Sequence, residues 1–280
     1  MQAKKYLGQN FLINPKIAER IAVESGITKD DTVLEIGPGT GKLTEHLLKR
    51  AKKVVAVEKD RDLFEELHKK FKKEIEANTL VLACEDILKF DIKKTILGFL
   101  SGPRPSGSLS QPDHSKNPKQ FFYKVVANIP YNITGAILKK FLAGSDADSQ
   151  QPDSLTFLVQ REVAERIMAK DGKESLLSIS VKAYGVPRIL FRVGKGNFYP
   201  SPKVDSAVIT IQKISREIFK KHKIDEEKFW KIVRAGFAHK RKKLKGNLKN
   251  IISDKNSQFL VISGKRAEDL SLKEWINLAK

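Results

Sequence analysis

The chain carries one cysteine, Cys84, in 280 residues. A lone thiol excludes an internal disulfide and any cysteine-built zinc site. Histidine is sparse as well: His46, His68, His114, His222 and His239 are scattered without ligand spacing, so no metal is expected. No apolar run approaches the ~18 residues that would span a bilayer. The opening MQAKKYLGQNFL lacks the apolar stretch of a secretory signal. These absences set the expectation of an intracellular, metal-free protein that does not enter a membrane. Acid is also in deficit. Asp and Glu number 33 against 53 Lys and Arg, a formal net charge of +20. An excess of that size points to a polyanionic partner, either nucleic acid or an anionic membrane surface.

What is present is an ordinary globular mixture, 40% apolar and 31% charged, long enough for one large domain with a small appendage. Short β-branched runs at 32–37 (TVLEIG), 54–58 (VVAVE), 80–84, 124–127 and 155–160 read as buried parallel strands. Amphipathic stretches at 44–52 and 61–75 lie between them, and strand–helix alternation argues for an α/β sheet with right-handed crossovers. Residues 186–193 and 207–212 read as two more strands joined by NFYPSPKVDS. After 213 the strand pattern stops; 226–237 and 272–280 read as helices of a small helical domain at 214–280. Ser, Gly and Pro fill 11 of the 20 positions in 101–120, so a flexible loop is expected there, and 144–154 (GSDADSQQPDS) is similar.

The first strand runs into a glycine turn, EIGPGTG at 35–41, ahead of a helix. Glycines at 37, 39 and 41 permit a tight turn and close ligand approach. Lys42 stands where the dinucleotide fingerprint needs its third glycine, so that fingerprint fits poorly. Glu58 ends the second strand and could accept from a ribose diol, or pair with Lys59 or Arg61. Asp86 ends the third strand and could accept from an adenine amino group, or cap its own turn. Ligands of open α/β sheets bind at the carboxyl ends of strands, and three successive strand ends here carry such groups.

The fourth strand ends in Asn128-Ile129-Pro130-Tyr131. An exocyclic adenine nitrogen is a poor nucleophile because its lone pair is delocalised into the ring. The Asn128 side-chain oxygen and the Ile129 or Pro130 carbonyl could accept its two hydrogens and free that lone pair. Pro130 offers no competing N–H, and Tyr131 could stack on the base. A proline turn with a satisfied Asn and a half-buried Tyr is the plainer alternative.

EIGPGTGKLT, the acid of VVAVEKD, EDIL and NIPY, with KKYLGQNFL before them and FYPSPKVDSAV after, together resemble the adenosylmethionine-dependent adenine dimethyltransferases of small-subunit ribosomal RNA, the kasugamycin-sensitivity family. The likeness covers nearly the whole chain. It implies a Rossmann-like class I methyltransferase fold with seven strands, the last antiparallel, at 1–213. It implies S-adenosylmethionine as cofactor and the small subunit's 16S rRNA as partner, for a cytoplasmic monomer. Asn10 and Leu12 would close over the cofactor, and Gly37 and Gly39 would lie against it. Glu58 would hold its ribose, Asp86 its adenine amino group. Asn128 would lie between cofactor and target, beside Pro130, with Tyr131 and Phe198 sandwiching the base. The reaction implied is double methylation at N6 of two adjacent adenines in the 3′-terminal hairpin loop.

Half of the positive charge sits in the tail: residues 216–280 hold 18 Lys and Arg against 8 Asp and Glu, net +10. Lys240, Arg241, Lys242, Lys243 and Lys245 could grip phosphates; a solvated helix face is the alternative. Phe229, Trp230, Phe237 and Trp275 read as core of the tail. The competing functions are a large-subunit methyltransferase of the macrolide-resistance type, a non-catalytic assembly factor on the same fold, and, weakest, an NAD-dependent dehydrogenase.

Overall fold

The computed structural model describes residues 4, 8–100, 121–144, 150–252 and 257–280. The loop expected at 101–120, and residues 145–149 of the one at 144–154, lie outside these. Seven strands form one sheet: β2 (Thr32–Ile36), β3 (Lys53–Glu58), β4 (Leu80–Cys84), β5 (Lys124–Asn128), β6 (Ser154–Gln160), β7 (Val186–Val193) and β9 (Ser206–Gln212). Their order is β4-β3-β2-β5-β6-β9-β7. The first five are parallel, and β9 runs antiparallel to both β6 and β7. This is the sheet that the resemblance implies.

Period-two alternation sends neighbouring residues of each strand to opposite apolar layers. Leu34, Val55, Val125, Phe157 and Ile209 enter one core; Val33, Val54, Val126, Leu158 and Val208 enter the other. The second layer is covered by α1 (Pro15–Glu24), α2 (Lys42–Arg50) and α3 (Arg61–Lys70). The first is covered by α5 (Ile92–Leu100), after the short α4 (Lys72–Glu76), and by α6 (Thr134–Leu142), α7 (Arg161–Met168) and α8 (Leu176–Lys182). A single helix expected over 61–75 is instead broken between α3 and α4. Phe71 leaves the helical conformation there and buries its ring against Gly41.

The tail holds α9 (Glu217–His222), α10 (Glu226–Phe237), α11 (Leu244–Leu248), α12 (Ser257–Ile262) and α13 (Leu272–Ala279). Asp225 caps α10, and a Ser271–Glu274 capping box starts α13. Phe229 and Trp275 are fully buried. The tail's apolar residues join the same cluster as one face of the sheet. Trp230 stacks on Tyr184 with ring centroids 5.9 Å apart, and its indole N–H donates to the Tyr184 hydroxyl at 2.9 Å. The tail is therefore packed onto the sheet domain.

Helices α1, α5 to α9, α11 and α12 are absent from the sequence reading, and so is a pair of short strands. β1 (Phe11–Leu12) and β8 (Phe198–Tyr199) pair as a two-stranded antiparallel ribbon. It ties the LGQNFL segment to the NFYPSPK segment. No helix of the described residues is long and apolar enough to cross a membrane.

Candidate active site

The five parallel strands end along one edge, and a cavity of about 250 Å³ opens there. It gathers Asn10, Leu12, Gly37, Gly39, Glu58, Asp86, Asn128, Pro130 and Tyr131 from five separate segments. Phe198 and the tail cations are not in its lining.

The glycine turn is left-handed at three positions: φ is 62° at Gly37, 59° at Gly39 and 76° at Gly41. Two of the three glycines also lie close against a neighbouring side chain. A Cβ at Gly41 would meet Phe71 at 2.6 Å, and one at Gly39 would meet the Phe11 ring at 3.1 Å. A Cβ at Gly37 would meet nothing within 4 Å, so the backbone there is open to a ligand.

Glu58 is buried at the end of β3. One carboxylate oxygen accepts from the Gly39 N–H at 3.1 Å and the other from the Asp60 N–H at 2.9 Å. Burial pushes its carboxyl above the ordinary value. Asp86 caps its own turn, Oδ1 accepting from the Leu88 N–H, while Oδ2 takes the Lys59 ammonium that was a candidate partner for Glu58, both at 2.9 Å. The bond to Lys59 holds the Asp86 carboxyl below its usual range.

The N-terminal segment folds over this edge. The Lys4 ammonium lies 2.7 Å from Asp60 and 2.6 Å from Asp62, and the Gln9 amide donates to Asp60 at 2.9 Å. Further along, the Asn128 amide donates to the Asn10 carbonyl at 3.0 Å. Only the NH₂ end of the amide can do so, so Oδ1 of this cavity-lining residue is left as an acceptor. The Pro130 carbonyl accepts from the Ile133 N–H at 3.2 Å. Ile129 therefore offers the less committed backbone acceptor beside Asn128.

Tyr131 is half-buried, and its hydroxyl lies 2.8 Å from Ser206 Oγ at the start of β9. Phe198 departs from expectation. It is only 3% exposed, packed into the core beneath the ribbon. It presents no free ring face to a base opposite Tyr131. Pairing with Leu12 across the ribbon turns it inward.

Sequence reasoning passed over Glu35 as a site residue. It lines the cavity, is 1% exposed, and its Oε2 is buried without a hydrogen-bond partner. Burial, with the Glu58 charge nearby, pushes its carboxyl up to about 8. The available signal was an acid inside an otherwise apolar parallel strand. Phe11, packed over the glycine turn, was also missed.

Lys240, Arg241, Lys242, Lys243 and Lys245 are all exposed, in and just after the turn joining α10 to α11. The turn is fixed rather than loose. Leu244 N–H donates to the Lys265 carbonyl at 2.9 Å, and the Asn247 amide donates to the Gly236 carbonyl at 2.6 Å.

A family model described as Ribosomal RNA adenine dimethylase matches residues 1–280. A Fusobacterium nucleatum protein named Ribosomal RNA small subunit methyltransferase A is 39% identical, over 99% of this chain and 96% of that one. Among solved structures, a dimethyladenosine transferase from Plasmodium falciparum is similar with a TM-score of 0.71 at 24% identity, over 96% of this chain and 95% of that one. The 23S rRNA methyltransferase ErmE is similar with a TM-score of 0.66 at 22% identity, over 96% and 98%. At those identities the two structures speak to the fold alone.

Proposed function

Because the chain belongs to the ribosomal RNA adenine dimethylase family, we propose that it methylates N6 of two adjacent adenosines in the 3′-terminal hairpin loop of small-subunit 16S rRNA, each twice. The observation that carries this is Asn128, held by Asn10 at the mouth of a cavity whose other strand ends bear Glu58 and Asp86. The small-subunit assignment draws on the relative named for that subunit. An enzyme on that substrate would work in the cytoplasm, as a monomer, during subunit assembly.

S-adenosylmethionine is the cofactor, and when bound it supplies an electrophilic methyl group on a sulfonium sulfur. The cavity suits it. Gly37 leaves open space at the turn. Each Glu58 oxygen accepts one backbone hydrogen and keeps a lone pair for a ribose hydroxyl. Asp86 can accept from the adenine amino group at the cost of sharing its bond to Lys59. The orphaned Glu35 Oε2 lacks a donor, and the ammonium of the methionine part is one. Asn10 and Leu12 cover the site from the N-terminal segment.

The chain's own groups then act on the target base. The Asn128 oxygen and the Ile129 carbonyl accept the two N6 hydrogens, which draws the nitrogen toward tetrahedral geometry and frees its lone pair. Pro130 brings no N–H to compete for those acceptors. Tyr131 stacks on the base, which must leave its helix stack to arrive. Positioning and exclusion of water supply most of the rate. The exposed cations 240–243 and 245 hold phosphates away from the reaction centre.

The test is transfer of labelled methyl groups to small subunits that lack the modification. Dimethyladenine at two adjacent positions supports the assignment. Label in large-subunit RNA instead contradicts it and favours the macrolide-resistance type.

A further inference from the structure

Strands β1 and β8 set Phe11 opposite Tyr199 and Leu12 opposite Phe198. Directly opposed residues of an antiparallel pair send their side chains to the same face, with Cβ atoms about 4.5–5.5 Å apart. One face of this ribbon is core: Leu12 is 5% exposed and Phe198 3%. The other carries Phe11 and Tyr199. Phe11 lines the cavity and packs over Gly39. Tyr199 stands beside it on the outer side, 60% exposed.

The ribbon beneath Tyr199 is firmly held. The Ile13 N–H donates to the Asn197 carbonyl at 2.9 Å, the Asn14 amide to Asn197 Oδ1 at 2.8 Å, and Ser201 Oγ to the Lys195 carbonyl at 3.1 Å. Asn10, which precedes Phe11, is the residue bonded to Asn128. A rigid backbone thus runs from the proposed catalytic amide to an exposed phenol ring. Lys195 and Lys203, both exposed, lie four residues to either side of it in sequence.

We propose that Tyr199 is a stacking platform for the nucleobase next to the one held at Asn128. The platform rests on the cavity being the site of the rRNA adenine. A base drawn out of its stack leaves its neighbour with one face uncovered. An aromatic ring fixed opposite the cavity-lining Phe11 covers that face without reading sequence. Lys195 and Lys203 give the flanking phosphates positive charge. Tyr131 is committed to the target base, with its hydroxyl bonded to Ser206. Tyr199 is the aromatic ring left exposed on the ribbon face that continues from the cavity.

Full-length wild type, Tyr199→Ala and Tyr199→Phe are compared on unmodified small subunits with labelled S-adenosylmethionine. The alanine variant should raise the KM for the subunit roughly 5- to 100-fold, the range of one lost base–aromatic stack. Its affinity for S-adenosylmethionine and its melting temperature should stay at wild-type values, and the phenylalanine variant should behave as wild type. A second measurement places 2-aminopurine beside the target adenosine in an RNA hairpin. Wild type should quench its fluorescence and Tyr199→Ala should not. An unchanged KM with equal quenching overturns the platform, as does an equal loss of cofactor affinity. If wild type is active and Tyr199→Ala matches it, only the platform fails. If wild type transfers no methyl group to the subunit RNA, the assignment of the cavity fails with it.

Discussion

The side-chain amide of Asn128 donates to the backbone carbonyl of Asn10 across 3.0 Å, joining residues 118 positions apart. The bond does two things. It engages the NH₂ end of the amide, leaving the oxygen of a cavity-lining residue as an acceptor, and it ties Asn10 to the end of β5. Asn128→Ala should therefore lower kcat by at least about 10²-fold, the scale of a misplaced reacting group. Binding of small subunits should remain near wild type. An equal fall in subunit affinity would make Asn128 a structural residue.

Tyr131 and Ser206 form a second such pair, 2.8 Å apart between hydroxyls. Ser206 is fully buried on β9, so its hydroxyl fixes the tilt of the Tyr131 ring. Tyr131→Phe and Ser206→Ala each remove one bond worth about 1 kcal/mol, roughly fivefold in rate if the bond matters to the reaction. The double variant should be no worse than either single one, because both lose the same contact. Additive losses in kcat would show that Ser206 acts elsewhere.

Glu35 predicts a pH dependence of stability. Its carboxyl titrates at about 8 in the fold against 4.5 for the free group. Between those values the folded chain holds a proton that the unfolded chain has released. Stability of the ligand-free protein therefore falls as pH rises from about 4.5 to 8 and levels off above. The whole span is on the order of 5 kcal/mol. Glu58, whose carboxyl is also raised by burial, adds in the same direction. Glu35→Gln should flatten the slope without abolishing it in denaturation curves at pH 5 to 8.5. Identical slopes in both proteins would contradict the buried, neutral carboxyl.

The exposed cations of the α10–α11 turn predict a salt effect. Each phosphate contact contributes a slope of about 0.7 to 0.9 in log K against log salt. Replacing Lys242 and Lys243 by Ala should lower the slope for RNA binding by up to two such contacts and leave methyl transfer at saturating subunit unchanged. A slope that does not move would place the RNA elsewhere on the tail.

Much of this was legible in the sequence for identifiable reasons. Parallel strands buried on both faces read as short β-branched runs, so 80–84 and 186–193 match the observed strands to the residue and the other five differ by one at an end. Glu58, Asp86 and Asn128 stand out in the sequence because each ends or closely follows such a run, and all three line the cavity. The β1–β8 ribbon was not legible. Its strands are two residues long and pair across the length of the sheet domain, so no local periodicity marks them. The break at Phe71 depends on Gly41, thirty residues earlier. Phe198 was read from its motif as a base-stacking ring, but its neighbour Leu12 turns it into the core. Helix α1 did carry a readable start, Asn14 as cap and Pro15 at the first turn. An acid inside the apolar run of β2 was a local sign of Glu35, but how deeply it is buried is set by the layers packed on both faces of the strand.

Where the methyl groups go decides the assignment. Wild-type protein, labelled S-adenosylmethionine and unmodified small subunits are incubated, and the modified nucleosides are mapped by mass spectrometry. Dimethyladenine at two adjacent adenosines in the 3′-terminal hairpin loop is the predicted result. Methyl groups confined to large-subunit RNA, or to a position other than adenine N6, would contradict it.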